Sequence, residues 1–390
     1  MRARAVGTPL FLAAIALLAW GSTRSSAASA AQTPVPGAVL ADPAPFRGDG
    51  MWIWYVSGAG GGDPARIARR ARAHGIETLY IKAGDGTDPW SQFTPALVGA
   101  LHRRGLQVCA WHYVYGTDPK REARVSAGAV RRGADCLVID AESQYEGRYA
   151  QASVYIERLR DAIGSDYPLG LAGFPYVQYH PAYPYSVFLG PGGAEFNLPQ
   201  IYWRAIGDTV DEAIDTTYAY NRVYDRPIYP LGQLYMNPPA REVLRFRKLA
   251  RANGFEGVSW WSWQDARPQG WRAVSRRRLS APRGYRPTTS YPTLRSGSSG
   301  DLVIWAQEHL AAGGYLGGPI SGEYGGSTRD AIRAFQAASG LPASGITDAA
   351  TWEQLIERLD PKPVAWAKRA APRSASLRAR SDELPPPRRR

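Results

Sequence analysis

The chain is 390 residues long, 44% hydrophobic and 21% charged, a composition that excludes a disordered polymer or fibre and leaves room for two folded domains. Its net charge of +13 imitates a nucleic-acid signature, but the excess sits at the ends. Arg2, Arg4 and Arg24 lie in the first 31 residues, and residues 361–390 hold nine Lys and Arg against Asp382 and Glu383. The body between them is only mildly basic, so nucleic acid is not an expected partner.

In chain order, residues 1–31 read as a secretory signal peptide: a basic start at Arg2 and Arg4, an apolar run over 9–20 and small residues at 27–31. The run is too short for a comfortable membrane span, so no transmembrane anchor is expected after cleavage and the mature chain is expected outside the cytoplasm, secreted or wall-bound. Eight apolar runs follow, at 51–56, 78–83, 107–114, 136–142, 169–174, 198–203, 228–234 and 257–263. Near-continuous apolar runs suit strands covered on both faces. Between them Asp63-Pro64 and Asp118-Pro119 pair a capping carboxylate with proline at the first helical position, and Gly75, Gly105, Gly133 and Gly254 fall where helices should stop. The fifth connection breaks the pattern with a long Pro- and Gly-rich loop.

Eight strand–helix units over residues 45–281 fit the roughly 250 residues of an α/β (β/α)8 TIM barrel. Cys109 and Cys136 both fall inside expected strands. Two packed core thiols are the expected state, with a disulfide as the alternative. No Cys/His spacing suggests zinc, and neither metal nor cofactor is expected. Residues 282–293 read as a Pro- and Thr-rich linker. A small all-α unit is expected at 294–359 and a disordered Pro/Arg-rich tail at 360–390.

The small unit carries Leu294-Arg295-Ser296-Gly297, Gly300, Val303, Gln307, Leu310, Gly314-Tyr315, Gly322-Glu323-Tyr324-Gly325, Thr328, Ala331, Phe335-Gln336, Gly340-Leu341, Gly345 and Thr351-Trp352. This text resembles the three-helix peptidoglycan-binding domain found fused to wall hydrolases, although Ser321 and Ala306 depart from its usual Asp and Leu. The resemblance implies peptidoglycan as the partner. Val303, Ala306 and Leu310, and again Ala331, Ile332 and Phe335, form apolar stripes on two short helices. Tyr324, Phe335 and Trp352 read as core, and Trp305 as the candidate for an exposed ring.

In a barrel of this kind function concentrates at the C-terminal ends of the strands. Asp140 and Glu142 end the fourth run, and the period of two sends both into the mouth. Neighbouring carboxylates at an apolar strand end suit a general acid beside an ionised partner, the pair that glycosidic cleavage needs. Glu142 is the expected donor and Asp140 its partner. Lys82, Asp85, His112, Tyr113, Tyr202, Trp203, Trp263 and Asp265 are the expected substrate-binding residues. The Asp-x-Glu, the Tyr/His-rich third strand and the Trp-rich eighth strand resemble glycoside hydrolases of the family 25 lysozyme type and their relatives. That implies a muramidase-like activity on wall glycan. The family's carboxylate at the end of strand one is missing from residues 51–56, which favours the alternative of a non-catalytic peptidoglycan-binding protein with a degenerate barrel.

Overall fold

A computed structural model of the chain describes residues 41–276, 279–280 and 282–377. The expected signal peptide and the end of the basic tail lie outside the described residues. Among the described residues, no helix is long and apolar enough to cross a membrane.

The strands are β1 (Gly48–Ile53), β2 (Ile76–Asp85), β3 (Asp88–Pro89), β4 (Gln107–Val114), β5 (Cys136–Ala141), β6 (Leu169–Ala172), β7 (Phe196–Asn197), β8 (Gln200–Ile201), β9 (Leu231–Gln233) and β10 (Gly257–Trp261). Apart from β3, which folds back antiparallel on β2, every pairing is parallel and the order runs β7-β6-β5-β4-β2-β1-β10-β9-β8. β7 and β8 are two halves of one barrel strand, parted at Leu198-Pro199 because proline has no N–H for the ladder. The Leu198 N–H still reaches the Leu171 carbonyl at 2.7 Å, and the Pro199 carbonyl accepts from Leu231 at 3.0 Å. The ring is therefore an eight-stranded parallel barrel, as the sequence implies.

The outer helices are α1 (Pro64–Ala73), α2 (Pro95–His102), α3 (Pro119–Arg131), α4 (Tyr149–Ile163), α5 (Tyr185–Phe188), α6 (Trp203–Ile206), α7 (Val210–Asn221), α8 (Ala240–Ala252) and α9 (Pro268–Val274). Their starts follow the capping logic. Asp63 accepts from the Ala65 N–H at 2.8 Å, Asp118 from Arg121 at 3.0 Å, and Thr94 from Leu97 at 3.1 Å. After β6 a 3-10 turn at Val177–Tyr179 and the single turn of α5 interrupt the expected long loop.

Alternation along each strand divides the core. Trp52, Tyr80, Cys109, Trp111, Cys136, Val138, Leu198, Leu231 and Trp261 face inward and fill the barrel. Their neighbours in sequence face out against the helices. Cys109 and Cys136 lie opposite one another in the β4–β5 register, Cα atoms 4.6 Å apart, and are joined as a disulfide. The expected free thiols are thus corrected. The thiols point to the same inner face at the same height, which brings them within bonding reach.

The C-terminal module consists of α10 (Asp301–Ala312), α11 (Gly326–Ala338) and α12 (Ala349–Arg358). It is organised twice over around a buried glutamine. Gln307 Oε1 accepts from Ser321 and Gly322, both at 2.9 Å, and its Nε2 donates to Thr328 Oγ1 at 2.8 Å. Gln336 repeats this with Gly345 at 2.9 Å and Thr351 at 3.0 Å. Tyr324, Phe335 and Trp352 are core. Trp305 is not the exposed ring expected of it: it is buried, and its Nε1 donates to the Val223 carbonyl of the barrel at 2.7 Å. Every residue of α10 from Asp301 to Leu310 is buried, because the module covers one side of this helix and the barrel the other.

The tail also departs from expectation. As far as residue 377 it packs on the fold. Trp366 is buried against Tyr149 and Ile304, and Arg373 N–H donates to the Ser321 carbonyl at 3.0 Å. Gly147, just after the Asp-x-Glu motif, lies so close under Ala375 that a Cβ there would meet its carbonyl oxygen at 2.5 Å. One buried tryptophan was enough to anchor a segment whose composition reads as disordered.

Burial of Trp366 alone is worth roughly 2 kcal/mol. Truncation before Pro361 is therefore expected to lower the melting temperature by a few degrees, and an unchanged thermal scan would count against the docked tail. Replacing Cys109 and Cys136 together by serine opens a loop of 27 residues' separation. It is expected to cost about 3–4 kcal/mol, read as a lower denaturation midpoint under non-reducing conditions.

Candidate active site

β5 delivers both carboxylates to the C-terminal mouth. Cys136, Val138 and Asp140 line up on its inner face, and Glu142 continues the line one step past the strand. Asp140 is buried and Glu142 half-buried. Gln200, at the start of β8, closes the pair from across the barrel. Its Nε2 donates to Asp140 Oδ1 and to Glu142 Oε1, each at 3.1 Å, so both amide hydrogens hold one carboxylate each. Tyr113 Oη lies 3.3 Å from Glu142 Oε2 and donates to Gln144 Oε1 at 2.8 Å.

Burial raises the pKa of both carboxyls. For Asp140 the Glu142 charge adds to the rise, opposed by Lys82 and by the Gln200 hydrogen bond. For Glu142 the hydrogen bonds from Gln200 and Tyr113 oppose it. The stronger rise falls on Asp140, the deeper group, where the sequence suggested an ionised partner. The two titrate as a coupled pair that keeps a proton above the ordinary carboxylate range.

Lys82 lies on the inner face of β2 with only 2% of its side chain exposed. Its ammonium donates to Asp85 Oδ2 at 2.8 Å and is ringed by Trp54, Trp90 and Trp111, whose centroids are 4.6, 4.6 and 4.7 Å away. Tyr115 Oη donates to the other oxygen of Asp85 at 2.8 Å. Lys82 is thus satisfied within the protein and acts on the dyad through its charge. Tyr202 is buried in the mouth, its ring edge-on to Tyr235 at 5.2 Å. Asp265 is exposed at the rim, accepts from Ser262 Oγ at 2.7 Å, and its charge reaches both Tyr202 and Tyr235.

Three of the expected binding residues lie elsewhere. His112 faces outward from β4, fully buried under α3, with Nδ1 2.6 Å from Ser126 Oγ and Nε2 2.8 Å from the Gly86 carbonyl. The carbonyl can only accept, so Nε2 carries the proton and the ring is neutral. Burial pushes its pKa down to about 4. Trp203 packs on Phe246 at 5.3 Å and donates to Glu242 outside the barrel. Trp263 sits against Trp271 at 4.9 Å in the outer layer. Alternation decides two of them: 109, 111 and 113 turn inward, so 112 turns out, and Gln200 and Tyr202 turn inward, so Trp203 turns out. Trp263 shares the parity of the inward Trp261 but lies beyond the end of β10, where the period of two no longer holds.

The mouth holds residues that the sequence reading did not single out as its site. Gln200 and Trp111 share the inward parity of Tyr202 and Tyr113, so the period of two could have found them. Trp54, Tyr55 and Trp90 form a stack at the rim, with Tyr55 and Trp90 centroids 5.3 Å apart. Tyr55 is 48% exposed, yet its backbone is fixed: Gln264 Nε2 donates to its carbonyl at 2.7 Å, and Gln92 Oε1 accepts from Val56 N at 2.9 Å. Among the described residues, no cluster of three or more His, Cys, Asp or Glu could hold a metal ion.

A carboxyl whose folded pKa is raised contributes stability below its unfolded pKa and loses it as pH rises through the folded value. Asp140→Asn removes this loss and keeps an oxygen for Gln200. Its melting temperature, relative to the parent, is expected to be higher near about pH 8 than near about pH 5. A pH-independent difference would contradict the shared proton.

Residues 299–355 match the family described as "Putative peptidoglycan binding domain". A search of curated proteins finds no match. Among solved structures, the chain is similar to the spore cortex-lytic enzyme SleL of Bacillus cereus, at 12% identity over 60% of this chain and 75% of that one, with a TM-score of 0.47. It is similar to a chitinase of Chromobacterium violaceum at 13% identity, over 58% and 98% of the two chains, with a TM-score of 0.40. It is also similar to a family 25 glycosyl hydrolase of Bacillus anthracis at 16% identity, over 39% and 69%, with a TM-score of 0.29. The chain is a (β/α)8 barrel whose C-terminal module, over residues 299–355, belongs to the peptidoglycan-binding domain family.

Proposed function

We propose that this chain is an exported glycoside hydrolase of the muramidase or lysozyme-like kind, directed to peptidoglycan by its C-terminal module. The observation that carries the proposal is the Asp140–Glu142 dyad, bridged by one amide and desolvated at the barrel mouth. A carboxyl whose proton is held above the ordinary carboxylate range, beside a second carboxylate, is what a glycosidic oxygen needs from its acid. Glu142 is the donor, being nearer the rim. Asp140 lies one pleat deeper and, ionised, steadies positive charge at the sugar carbon, and the water that completes the cleavage returns a proton to Glu142. Attack then comes from water or from the substrate's own N-acetyl oxygen. The Tyr202 and Tyr235 rings form the opposite wall, and the Tyr55–Trp90 stack offers flat faces to sugar rings. A disulfide inside the barrel accords with an oxidising compartment.

One observation favours the rival reading, a non-catalytic wall-binding barrel. The only carboxylate of β1 is Asp49, at the end away from the mouth, where it pairs with Arg247 at 2.7 Å. β1 thus brings aromatics rather than an acid to the site.

Release of reducing ends from purified sacculi separates the two. Glu142→Gln is expected to lower turnover by about 10²–10⁴ while co-sedimentation with the wall survives. Tyr55→Ala and Trp90→Ala are expected to raise KM more than they lower kcat. Wall binding by the parent without any new reducing ends would establish the rival.

A further inference from the structure

The joint between barrel and module contains a buried charge with an unusual set of partners. Asp301, the first residue of α10, is 1% exposed. Its carboxylate accepts four hydrogen bonds: Oδ1 from Tyr149 Oη at 3.0 Å and Ser186 Oγ at 2.9 Å, Oδ2 from Ser186 N at 2.9 Å and Tyr224 Oη at 2.8 Å. All four donors belong to the barrel, from α4, from α5 and from the turn Arg222–Tyr224. No cation faces it. Glu308, on the same helix, is also buried, and its opposing charge is Arg369 of the tail. A desolvated carboxylate without a counter-ion is an expensive way to hold two bodies together. Well-packed apolar residues would do so at less cost, which points to a positional role.

That position leads to the dyad. The Asp301 N–H donates to the Pro181 carbonyl at 2.8 Å. Gly300 lies against the same residue, where a Cβ would stand 2.7 Å from Pro181 Cβ. Pro181 follows His180, whose ring lies flat on Phe174 at 3.5 Å and whose Nδ1 is 2.8 Å from Glu146 Oε1. Three residues on, Tyr183 Oη donates to the carbonyl of Ala141, the residue between Asp140 and Glu142, at 2.9 Å. His180 sits in the long connection after β6, whose regular structure is a 3-10 turn at Val177–Tyr179 and the turn of α5. The connection is held by the barrel and, at Pro181, by the first residue of the module.

We propose that Asp301 is a positioning residue for the candidate site: by clamping α4, α5 and the Arg222–Tyr224 turn to the module, it holds the loop that carries His180 and Tyr183 against the end of β5, where the dyad sits. The wall-binding module is then a structural part of the barrel's mouth. The catalytic consequence rests on the hydrolase reading above; the clamp itself does not.

The test uses the full chain with Asp301→Asn, which keeps the shape but faces its donors with an amide, and Tyr224→Phe, which removes one donor remote from the mouth. His180 ring resonances are followed by NMR, together with wall co-sedimentation and the kcat and KM of reducing-end release. In Asp301→Asn the His180 signals are expected to move and kcat to fall by about tenfold, with KM and wall binding held within about twofold. Tyr224→Phe should shift both readouts the same way by less. Unmoved His180 signals with unchanged kcat in a folded Asp301→Asn would overturn the proposal. If that variant does not fold, Tyr224→Phe decides on the same readouts. Should the parent release no reducing ends, the hydrolase reading fails, and the His180 signals alone still confirm or overturn the clamp.

Discussion

A strand places every second side chain on one face, and in a closed barrel that face has nowhere to go but inward. On β5 this single constraint stacks Cys136, Val138, Asp140 and Glu142 in one file from the barrel's interior to its mouth. The disulfide ties the lower end of the file to β4, and the dyad occupies the upper end. A shift of β5 by one residue against β4 would send the carboxylates under α4 and part the sulfurs together. The staple and the candidate chemistry therefore share one register, set by the pairing of Cys109 with Cys136 and of Tyr113 with Asp140.

That constraint also explains what could be read in advance. The eight runs, their capping residues and the closing glycines are local signals, and the barrel follows from their repetition. Asp140, Glu142, Tyr113 and Tyr202 reach the mouth because their parity is inward. His112 and Trp203 have outward parity despite their nearness to a strand end, and Trp263, which has inward parity, lies past the end of β10 where the strand pattern stops. Lys82 was legible as a mouth residue with Asp85 as a possible partner, but its aromatic cage was not. Its cage is completed by Trp90, which arrives on the short β3 turn, where no periodic pattern announces it. Gln200 needed the opposite side of the ring to be in place before its amide could be seen to span two carboxylates from β5.

The module shows a different limit. Its stripes and turn glycines gave the three helices, and the tandem Gln–Gly–Thr hubs hold them without metal or sulfur. Sequence reading treats such a unit as a bead on a linker, because nothing local marks a second partner. Yet α10 is apolar on the module side and carries Asp301 and Trp305 on the other, and both find their partners in the barrel. Trp366 in the tail was equally mute: one aromatic in a Pro- and Arg-rich stretch has no period, and only the presence of Tyr149 and Ile304 gives it a place.

The burial of α10 on all sides has a consequence for how the molecule would meet a polymer. A module on a flexible tether samples many distances and lets its partner domain work anywhere within the sweep of the linker. Here the span between the point of attachment and the barrel mouth is a dimension of the fold. On the hydrolase reading proposed above, a strand gripped by the module would meet the mouth at a fixed distance from the grip. The chain would act as a ruler, and advancing along the polymer would require it to let go and rebind.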